Sequence, residues 1–164
     1  MKVLVTGAHG FVGKNLCAQL NNIKAGKAKS YPVILSEVME YDLDTDPALL
    51  DEYCRQADFV FNLAGVNRPQ DPGEFMKGNF GFASTLLDAL KKYGNTCPVM
   101  ISSSTQAALD NLYGESKRAG EQLMFDYSRE TGAKVLVYRF PNVFGKWCRP
   151  NYNSAIATFC NNIA

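Results

Sequence analysis

The chain has 164 residues and is 46% hydrophobic, which is enough for one globular domain with a hydrophobic core. Its 17 basic and 16 acidic residues are mixed along the sequence and leave a net charge of +1, so neither a nucleic-acid surface nor a polybasic membrane anchor is indicated. No apolar run approaches the roughly 20 residues that span a bilayer, and the N-terminus lacks the pattern of a signal peptide.

The first residues predict a strand, a glycine-rich turn and a helix, in that order. Lys2–Thr6 has the apolar, β-branched pattern of a short buried strand, and good helix formers follow over residues 14–20. In a dinucleotide-binding turn Gly7 permits the tight turn, Gly10 leaves room for a pyrophosphate, and Gly13 lets the helix pack closely. The alternative, a glycine-rich turn without a ligand, is less favoured because strand, glycines and helix follow in the required order.

The rest of the chain alternates between predicted strands and helices. In order, we predict an exposed loop over residues 21–31, one or two strands within 32–41, an acidic turn over 42–47, a helix over 47–54, a strand over 58–63, a helix over 74–93, a strand over 99–102, a helix over 113–131 and a strand over 134–139. Asp46 is the expected N-cap of the second helix. The alternation predicts right-handed crossovers and a doubly wound parallel sheet, an α/β Rossmann-like fold of three αβα layers over residues 1–164.

Three of these strands end in polar or small residues. The segments are Thr6-Gly7, Asn62-Leu63-Ala64-Gly65 and Ser102-Ser103-Ser104-Thr105. Because the carboxyl ends of parallel strands lie along one edge of a sheet, these segments should converge where ligands of such folds bind. One serine cluster could be simple capping, but three converging ends favour a site.

Tyr113 and Lys117 form the pair of residues most directly suited to catalysis. They stand four apart on a predicted helix and so share a face. A tyrosine pKa near 10 is too high for easy proton exchange at neutral pH, and a nearby ammonium should lower it. Tyr113 could then exchange a proton with a carbonyl or alcohol oxygen, assisted by a serine hydroxyl, while a nicotinamide transfers hydride. The alternative is an exposed Tyr–Lys pair on a helix surface.

Five motifs, TGAHGFVG, NLAG, SSS, YGESK and RFPNVFG, occur in the order found in the extended short-chain dehydrogenase/reductases. The chain resembles the nucleotide-sugar epimerase/dehydratase group of that family over nearly its whole length. The resemblance implies that Tyr113 is the catalytic tyrosine, that Lys117 is its partner and that Ser104 is the catalytic serine. It also implies that Asn79 supports the active site and that Pro141-Asn142 lies beside the nicotinamide and the sugar.

More narrowly, three segments are similar to the capsular-polysaccharide UDP-sugar reductases of bacteria. These segments are LAGVNRP (63–69), SSSTQAALDNLYGESK (102–117) and FGKWCRPNYNSAIATFC (144–160). That group is implied to reduce the C4 ketone of UDP-2-acetamido-2,6-dideoxy-hexulose with NADPH, on the route to UDP-N-acetyl-L-fucosamine, and its full-length members carry a C-terminal cupin domain. We therefore expect an N-terminal fragment of a longer, homodimeric enzyme, which binds cofactor but does not turn over substrate alone. Alternatives are an epimerase or 4,6-dehydratase of the same fold and a non-catalytic dinucleotide sensor.

Two features separate the chain from most extended members. Only eight residues lie between Ser104 and Tyr113, which puts the reach of the serine in question, although the narrower group shares the short loop. The chain also ends at Ala164, before most of the sugar-binding region of the family.

The expected site residues fall into three sets. The catalytic set is Tyr113, Lys117 and Ser104. The cofactor-binding set is Gly7, His9, Gly10, Phe11, Val12, Gly13, Asp42, Leu63, Ala64, Gly65, Ser102, Ser103, Tyr113, Lys117 and Pro141. The substrate-binding set is Asn67, Arg68, Asn79, Asn142 and Arg149.

Several side chains leave alternatives open. Arg149 and Lys146 could meet a diphosphate, but for each of them, as for Arg68, an exposed loop position is an equal alternative. We assign Phe75, Phe82 and Trp147 to packing rather than to sugar stacking.

The choice between NADP(H) and NAD(H) depends on the residues beyond the glycine turn. An acid at the end of the next strand, either Glu37 or Asp42, would hold a ribose hydroxyl and favour NAD. The resemblance points to NADPH, and Lys14 or the lysines at 24–29 could accept a 2′-phosphate. We expect NADP(H) rather than NAD(H).

Cysteine and histidine usage argues against metal sites. The five cysteines are widely spaced and form no CxxC pair, which predicts a reducing compartment, the cytoplasm. The only histidine is His9, which we place in a solvent-facing loop beside the cofactor, and no metal site is expected.

Overall fold

The computed structural model describes residues 1–67 and 69–164, and five parallel strands form its sheet. The strands are β1 (Lys2–Thr6), β2 (Glu37–Tyr41), β3 (Phe59–Asn62), β4 (Val99–Ser104) and β5 (Val135–Phe140). Their spatial order is β2-β1-β3-β4-β5, so successive connections run in opposite directions from β1. The carboxyl ends of β1 and β3 therefore flank the switch point, where ligands of doubly wound sheets bind.

The helices connect the strands as the alternation predicts. They are α1 (Phe11–Lys24), α2 (Ala48–Gln56), α3 (Gly73–Phe75), α4 (Phe82–Lys92), α5 (Leu112–Thr131) and α6 (Ala155–Ile163), with a π-helical segment over Met76–Gly81 and a 3-10 turn over Thr105–Ala108. Among the helices of the described residues, none is long and apolar enough to cross a membrane.

Several predicted boundaries change. The first helix begins at Phe11 and continues to Lys24, so it includes four residues that we predicted as loop. The region 32–41 contains one strand, β2, whose five residues match the five of β1 pair for pair. The N-cap of α2 is Pro47 rather than the expected Asp46, although the Asp46 carboxylate accepts a hydrogen bond from Ala48 N at 2.9 Å.

The predicted helix over 74–93 is helical as far as Lys92 but is not uniform. Its middle forms the π-helical segment, and Asn79 of that segment is buried at 4% exposure. No element was predicted after the strand over 134–139, so helix α6 is an addition. Ser154 before an apolar run is the signal that was available, since its hydroxyl accepts a hydrogen bond from Ala157 N as an N-cap does.

Helices cover both faces of the sheet, which confirms the three-layer prediction. Val3 and Val5 of β1 pack with Cys17 and Leu20 of α1 on one face. The alternate residue Leu4 joins the larger cluster on the other face, which contains residues of α2, α4 and α5. The alternation of side chains along each strand thus separates two cores, and the strand ends between them stay free for a site.

Candidate active site

A cleft of about 750 Å³ lies along the carboxyl ends of the strands, within the size range of small-molecule sites. The predicted site residues that line it are Gly7, His9, Gly10, Phe11, Val12, Gly13, Leu63, Gly65, Asn67, Ser102, Ser103, Ser104, Tyr113, Lys117, Pro141, Asn142 and Arg149. Lining residues that the sequence reasoning did not select include Gln106, Phe140, Val143, Cys148, Tyr152 and Asn153. Arg68, predicted to bind substrate, lies outside the described residues.

The glycine turn has the backbone expected of a dinucleotide cradle. Gly7 has φ +68°, and a Cβ there would lie 2.7 Å from Ala64 N. A Cβ at Gly13 would overlap the Gly7 carbonyl oxygen and lie 2.8 Å from the carbonyl carbon of Ala8, so the close approach is between helix and turn. A Cβ at Gly10 would have only the Gly7 carbonyl oxygen within 4 Å, so the side of Gly10 that faces the cleft is open. The turn therefore fits a pyrophosphate at the start of α1.

The loop after β2 anchors this turn. The Asp42 carboxylate accepts hydrogen bonds from His9 N at 2.7 Å and from Leu43 N at 2.8 Å. Asp44 forms an ion pair with Nδ1 of His9 at 3.0 Å. Asp42 is not among the residues that line the cleft, and each of its two oxygens accepts a hydrogen bond from a backbone amide. Its predicted contact with the cofactor stays a prediction. Ala64, predicted to bind cofactor, is packed beneath Gly7 instead of lining the cleft.

The topology also shows which of the other predicted residues lie near enough to the cleft to bind the ribose 2′-hydroxyl or a 2′-phosphate. Glu37 begins β2, at the edge of the sheet opposite the cleft, and pairs with Lys2 at 3.3 Å. Lys24 ends α1, which runs away from the cleft, so the lysines at 24–29 are also at the far edge. Lys14 lines the cleft and is exposed. Of the groups we proposed for a 2′-phosphate, Lys14 is therefore in reach.

Tyr113 and Lys117 lie at the start of α5 and face the cleft together. The Lys117 ammonium nitrogen is 5.6 Å from the centroid of the Tyr113 ring and donates a hydrogen bond to the Ser102 carbonyl at 3.2 Å. The Tyr113 hydroxyl donates to Oδ1 of Asn67 at 3.3 Å. Asn111 caps the helix by accepting from Gly114 N at 2.7 Å, which fixes where α5 begins.

Burial shifts the pKa values of both groups. Desolvation lowers the pKa of Lys117 to about 8, because the side chain is only 8% exposed in an environment that disfavours its charge. Desolvation also raises the pKa of Tyr113, and a hydrogen bond from Ser104 opposes that rise. The direction of the Tyr113 pKa is therefore set by loss of solvent, opposite to the lowering that we expected from Lys117.

The three serines at the end of β4 face alternate sides. Ser104 interacts with the Tyr113 phenol, so the short loop between them does not prevent the contact. Ser102 contributes its carbonyl to Lys117. Ser103, which lines the cleft, donates a hydrogen bond from its hydroxyl to the Glu121 carboxylate at 2.5 Å, and its predicted contact with the cofactor stays a prediction. Because side chains alternate along a strand, this hydroxyl points to the opposite side from the side chains of Ser102 and Ser104.

Asn79 was predicted to bind substrate, and it lies beneath the site instead. Its amide oxygen accepts from Val66 N at 3.0 Å, and its amide nitrogen donates to Val66 O at 3.1 Å and to Ser116 Oγ at 3.0 Å. With its polar atoms used in this way and 4% exposure, it does not line the cleft. It holds the loop after β3 against α5.

The segment after β5 closes the far side of the cleft. Trp147, which we assigned to packing, is 47% exposed and lines the cleft, with a positive φ of 65°. The Lys146 ammonium lies 4.4 Å from the Trp147 ring centroid. Asn15 of α1, which the sequence reasoning missed, donates to the Lys146 carbonyl at 2.8 Å and ties this segment to the glycine-turn helix. In the part of the chain that the structure describes, no cluster of three metal-ligating side chains occurs.

Comparisons with known proteins match both the sequence and the fold. Residues 3–164 match the model of the NAD dependent epimerase/dehydratase family. A curated relative, UDP-2-acetamido-2,6-beta-L-arabino-hexul-4-ose reductase of Pseudomonas aeruginosa, is 48% identical over 163 residues, which cover 99% of this chain and 41% of that protein.

Solved structures show the same relationship. The crystal structure of the capsular polysaccharide assembling protein CapF from Staphylococcus aureus has a TM-score of 0.81 and 44% identity, covering 99% of this chain and 42% of that one. RMD from Pseudomonas aeruginosa, solved with NADPH, has a TM-score of 0.73 and 27% identity, covering 99% of this chain and 61% of that one. The chain thus spans about two fifths of the first two relatives.

Proposed function

Because the chain belongs to the NAD dependent epimerase/dehydratase family, we propose that it serves in NAD(P)H-dependent reduction of a UDP-4-keto-6-deoxy amino sugar for a capsular or surface polysaccharide. The 48% identity to a UDP-sugar reductase and the likeness to CapF support this substrate class. In this proposal, residues 1–164 are the NAD(P)-binding domain of a longer enzyme, and turnover requires the remainder of that enzyme. The 41% coverage of the curated relative supports this division.

The observation that carries the proposal is the position of Tyr113, Lys117 and Ser104 at the cleft, opposite a glycine turn shaped for a pyrophosphate. A nicotinamide dinucleotide bound in this cleft would supply the hydride. The protein supplies the proton: Tyr113 donates its phenolic hydrogen to the carbonyl oxygen of the sugar as that oxygen gains charge. Ser104 hydrogen-bonds the same oxygen and orients the ketone.

The electrostatics of the site suit an acid. Burial raises the pKa of Tyr113, and the Asn67 oxygen accepts its hydrogen, so the phenol is protonated at neutral pH. The Lys117 ammonium lies beside the ring and stabilises the phenolate that remains after proton donation. We propose a second role for Lys117, binding the nicotinamide ribose, and its position in the lining of the cleft supports this role.

We propose NADP(H) as the preferred cofactor. The Asp42 carboxylate, which could have bound a ribose 2′-hydroxyl, is engaged by two backbone amides, and Lys14 is available in the cleft. The NADPH complex of a 27% identical neighbour adds support. Calorimetric titration of the chain with NADPH and with NADH tests this choice, and tighter binding of NADH would overturn it.

We also propose a cytoplasmic, homodimeric full-length enzyme. All five cysteines lie among the described residues and each is a free thiol, which suits a reducing compartment.

Replacing Tyr113 by phenylalanine in the full-length enzyme tests the function. We expect loss of sugar reduction with unchanged NADPH affinity, while Tyr31→Phe, at a 51% exposed loop position, leaves both unchanged. Undiminished turnover by Tyr113→Phe would remove Tyr113 from its role. Turnover without net consumption of NADPH would instead indicate an epimerase or dehydratase, because those reactions return the hydride to the substrate.

A further inference from the structure

Glu121 is a nearly buried carboxylate directly behind the candidate active site. It is 5% exposed and lies on α5, four residues after Lys117 and eight after Tyr113, so the three share one stripe of the helix. Its partners come from two strands. Ser103 of β4 donates to Oε1 at 2.5 Å, and Arg139 of β5 donates to Oε1 at 2.8 Å and to Oε2 at 2.6 Å.

Stability alone is a weak reason for this arrangement. Burying a carboxylate costs free energy that its partners only partly return, and well-packed apolar residues often replace such pairs without loss. The two-point contact with Arg139 does fix geometry, since a planar guanidinium and a carboxylate meet in one orientation. The network therefore constrains where α5, β4 and β5 lie relative to one another.

The constraint falls on residues that touch the cleft. Ser103 lies between Ser102, whose carbonyl binds Lys117, and Ser104, whose hydroxyl interacts with Tyr113. Holding the Ser103 side chain from behind fixes the backbone that carries both contacts. Arg139 is followed by Phe140 and Pro141, which line the cleft.

We propose that Glu121 is a positioning residue that, through Ser103 and Arg139, sets the placement of Lys117 and Ser104 in the site. The inference rests on the proposed function for its catalytic meaning, but the geometry that it claims can be measured in the ligand-free chain. When the network is broken, β4 and α5 separate slightly and water reaches the Lys117 ammonium.

The test is an NMR titration of the Lys117 side chain, with the signal assigned by its loss in Lys117→Arg. Ser103→Ala removes one hydrogen bond and no charge. The double variant Glu121→Gln/Arg139→Gln removes both charges and keeps the net charge, and the Lys117 pKa is set by desolvation rather than by either of these charges. We expect the Lys117 pKa to rise from about 8 by about one pH unit in each, towards its ordinary value, as solvent returns.

Tyr127→Phe is the matched control. Tyr127 is buried on the same helix and donates to the Asn95 carbonyl at 3.1 Å, away from the cleft. We expect it to lower thermal stability without moving the Lys117 pKa. The proposal is overturned if Ser103→Ala and the double variant leave that pKa unchanged, or if Tyr127→Phe raises it equally.

In the full-length enzyme, Ser103→Ala should lower kcat for sugar reduction about tenfold with little change in the KM for NADPH. That result would show that the placement of Lys117 and Ser104 matters for the catalytic step rather than for cofactor binding. An enzyme inactive with every UDP-keto sugar would count against the proposed function alone, since the titration decides the role of Glu121 without turnover.

Discussion

Replacing Lys117 by methionine should stabilise the ligand-free chain although it removes a residue of the proposed site. The pKa of Lys117 is about 8 in the folded chain against an ordinary value of 10.5. At about 1.4 kcal/mol per pH unit, that difference makes the folded state less stable by about 3 kcal/mol while the lysine is charged. In the variant the Ser102 carbonyl loses its hydrogen-bond donor, which costs about 1 kcal/mol of stability. We therefore expect the free energy of unfolding to increase by about 2 kcal/mol in total.

The pH dependence has a definite sign. Since the folded pKa lies below the unfolded one, the unfolded chain binds more protons between about pH 8 and 10.5, and the stability contribution of Lys117 rises through that window. The destabilisation is complete below about pH 8 and absent above 10.5. The advantage of Lys117→Met should therefore be largest at pH 7 and much smaller at pH 10.

The assay is thermal and urea denaturation of the ligand-free chain at both pH values. A gain of about 2 kcal/mol corresponds to about 4–8 °C in Tm for a chain of this size. Lys134→Met, at an exposed position, is the control and should change stability little. A Lys117→Met variant less stable than the parent at pH 7, or equally advantaged at both pH values, would refute the desolvation argument.

Three further predictions concern the frame of the site. In urea denaturation, Gly13→Ala should lower the free energy of unfolding more than Gly132→Ala does, because the new Cβ at position 13 would overlap backbone atoms. Gly132 has φ +74° and nothing within 4 Å of an added Cβ, so its replacement should cost only the strain of that backbone conformation, about 1–2 kcal/mol. Equal costs for the two variants would contradict the close packing at Gly13. Asn79→Ala should lower the free energy of unfolding by about 2–3 kcal/mol, since it removes the partner of the part-buried Val66 N–H and C=O in the loop after β3. It should also weaken dinucleotide binding in calorimetry, and unchanged binding would count against its positioning role. Cys160, which is exposed, should react readily with a thiol reagent, whereas Cys148 lines the cleft and should be protected by NADPH; labelling of Cys148 that NADPH leaves unchanged would contradict this placement.

The interactions that tie the site together join residues distant in the chain. Glu121 meets Ser103 and Arg139 from 18 positions away on either side, and Asn15 meets Lys146 across 131 positions. Local propensity carries no information about such pairs, because a glutamate in a helix is typical of a solvated face. Local propensity likewise did not show that the Asp42 carboxylate accepts a hydrogen bond from His9 N, or that Asn79 is buried beneath the cleft.

Local chemistry did determine the elements and the candidate residues. A strand followed by three glycines predicts the turn whatever surrounds it, since backbone freedom at Gly7 and close approach at Gly13 are properties of those positions. The spacing of Tyr113 and Lys117 places them on one helix face for the same reason. Their protonation was decided by tertiary structure alone, because pKa values depend on the solvent that folding removes, and folding buried Lys117 to 8% exposure.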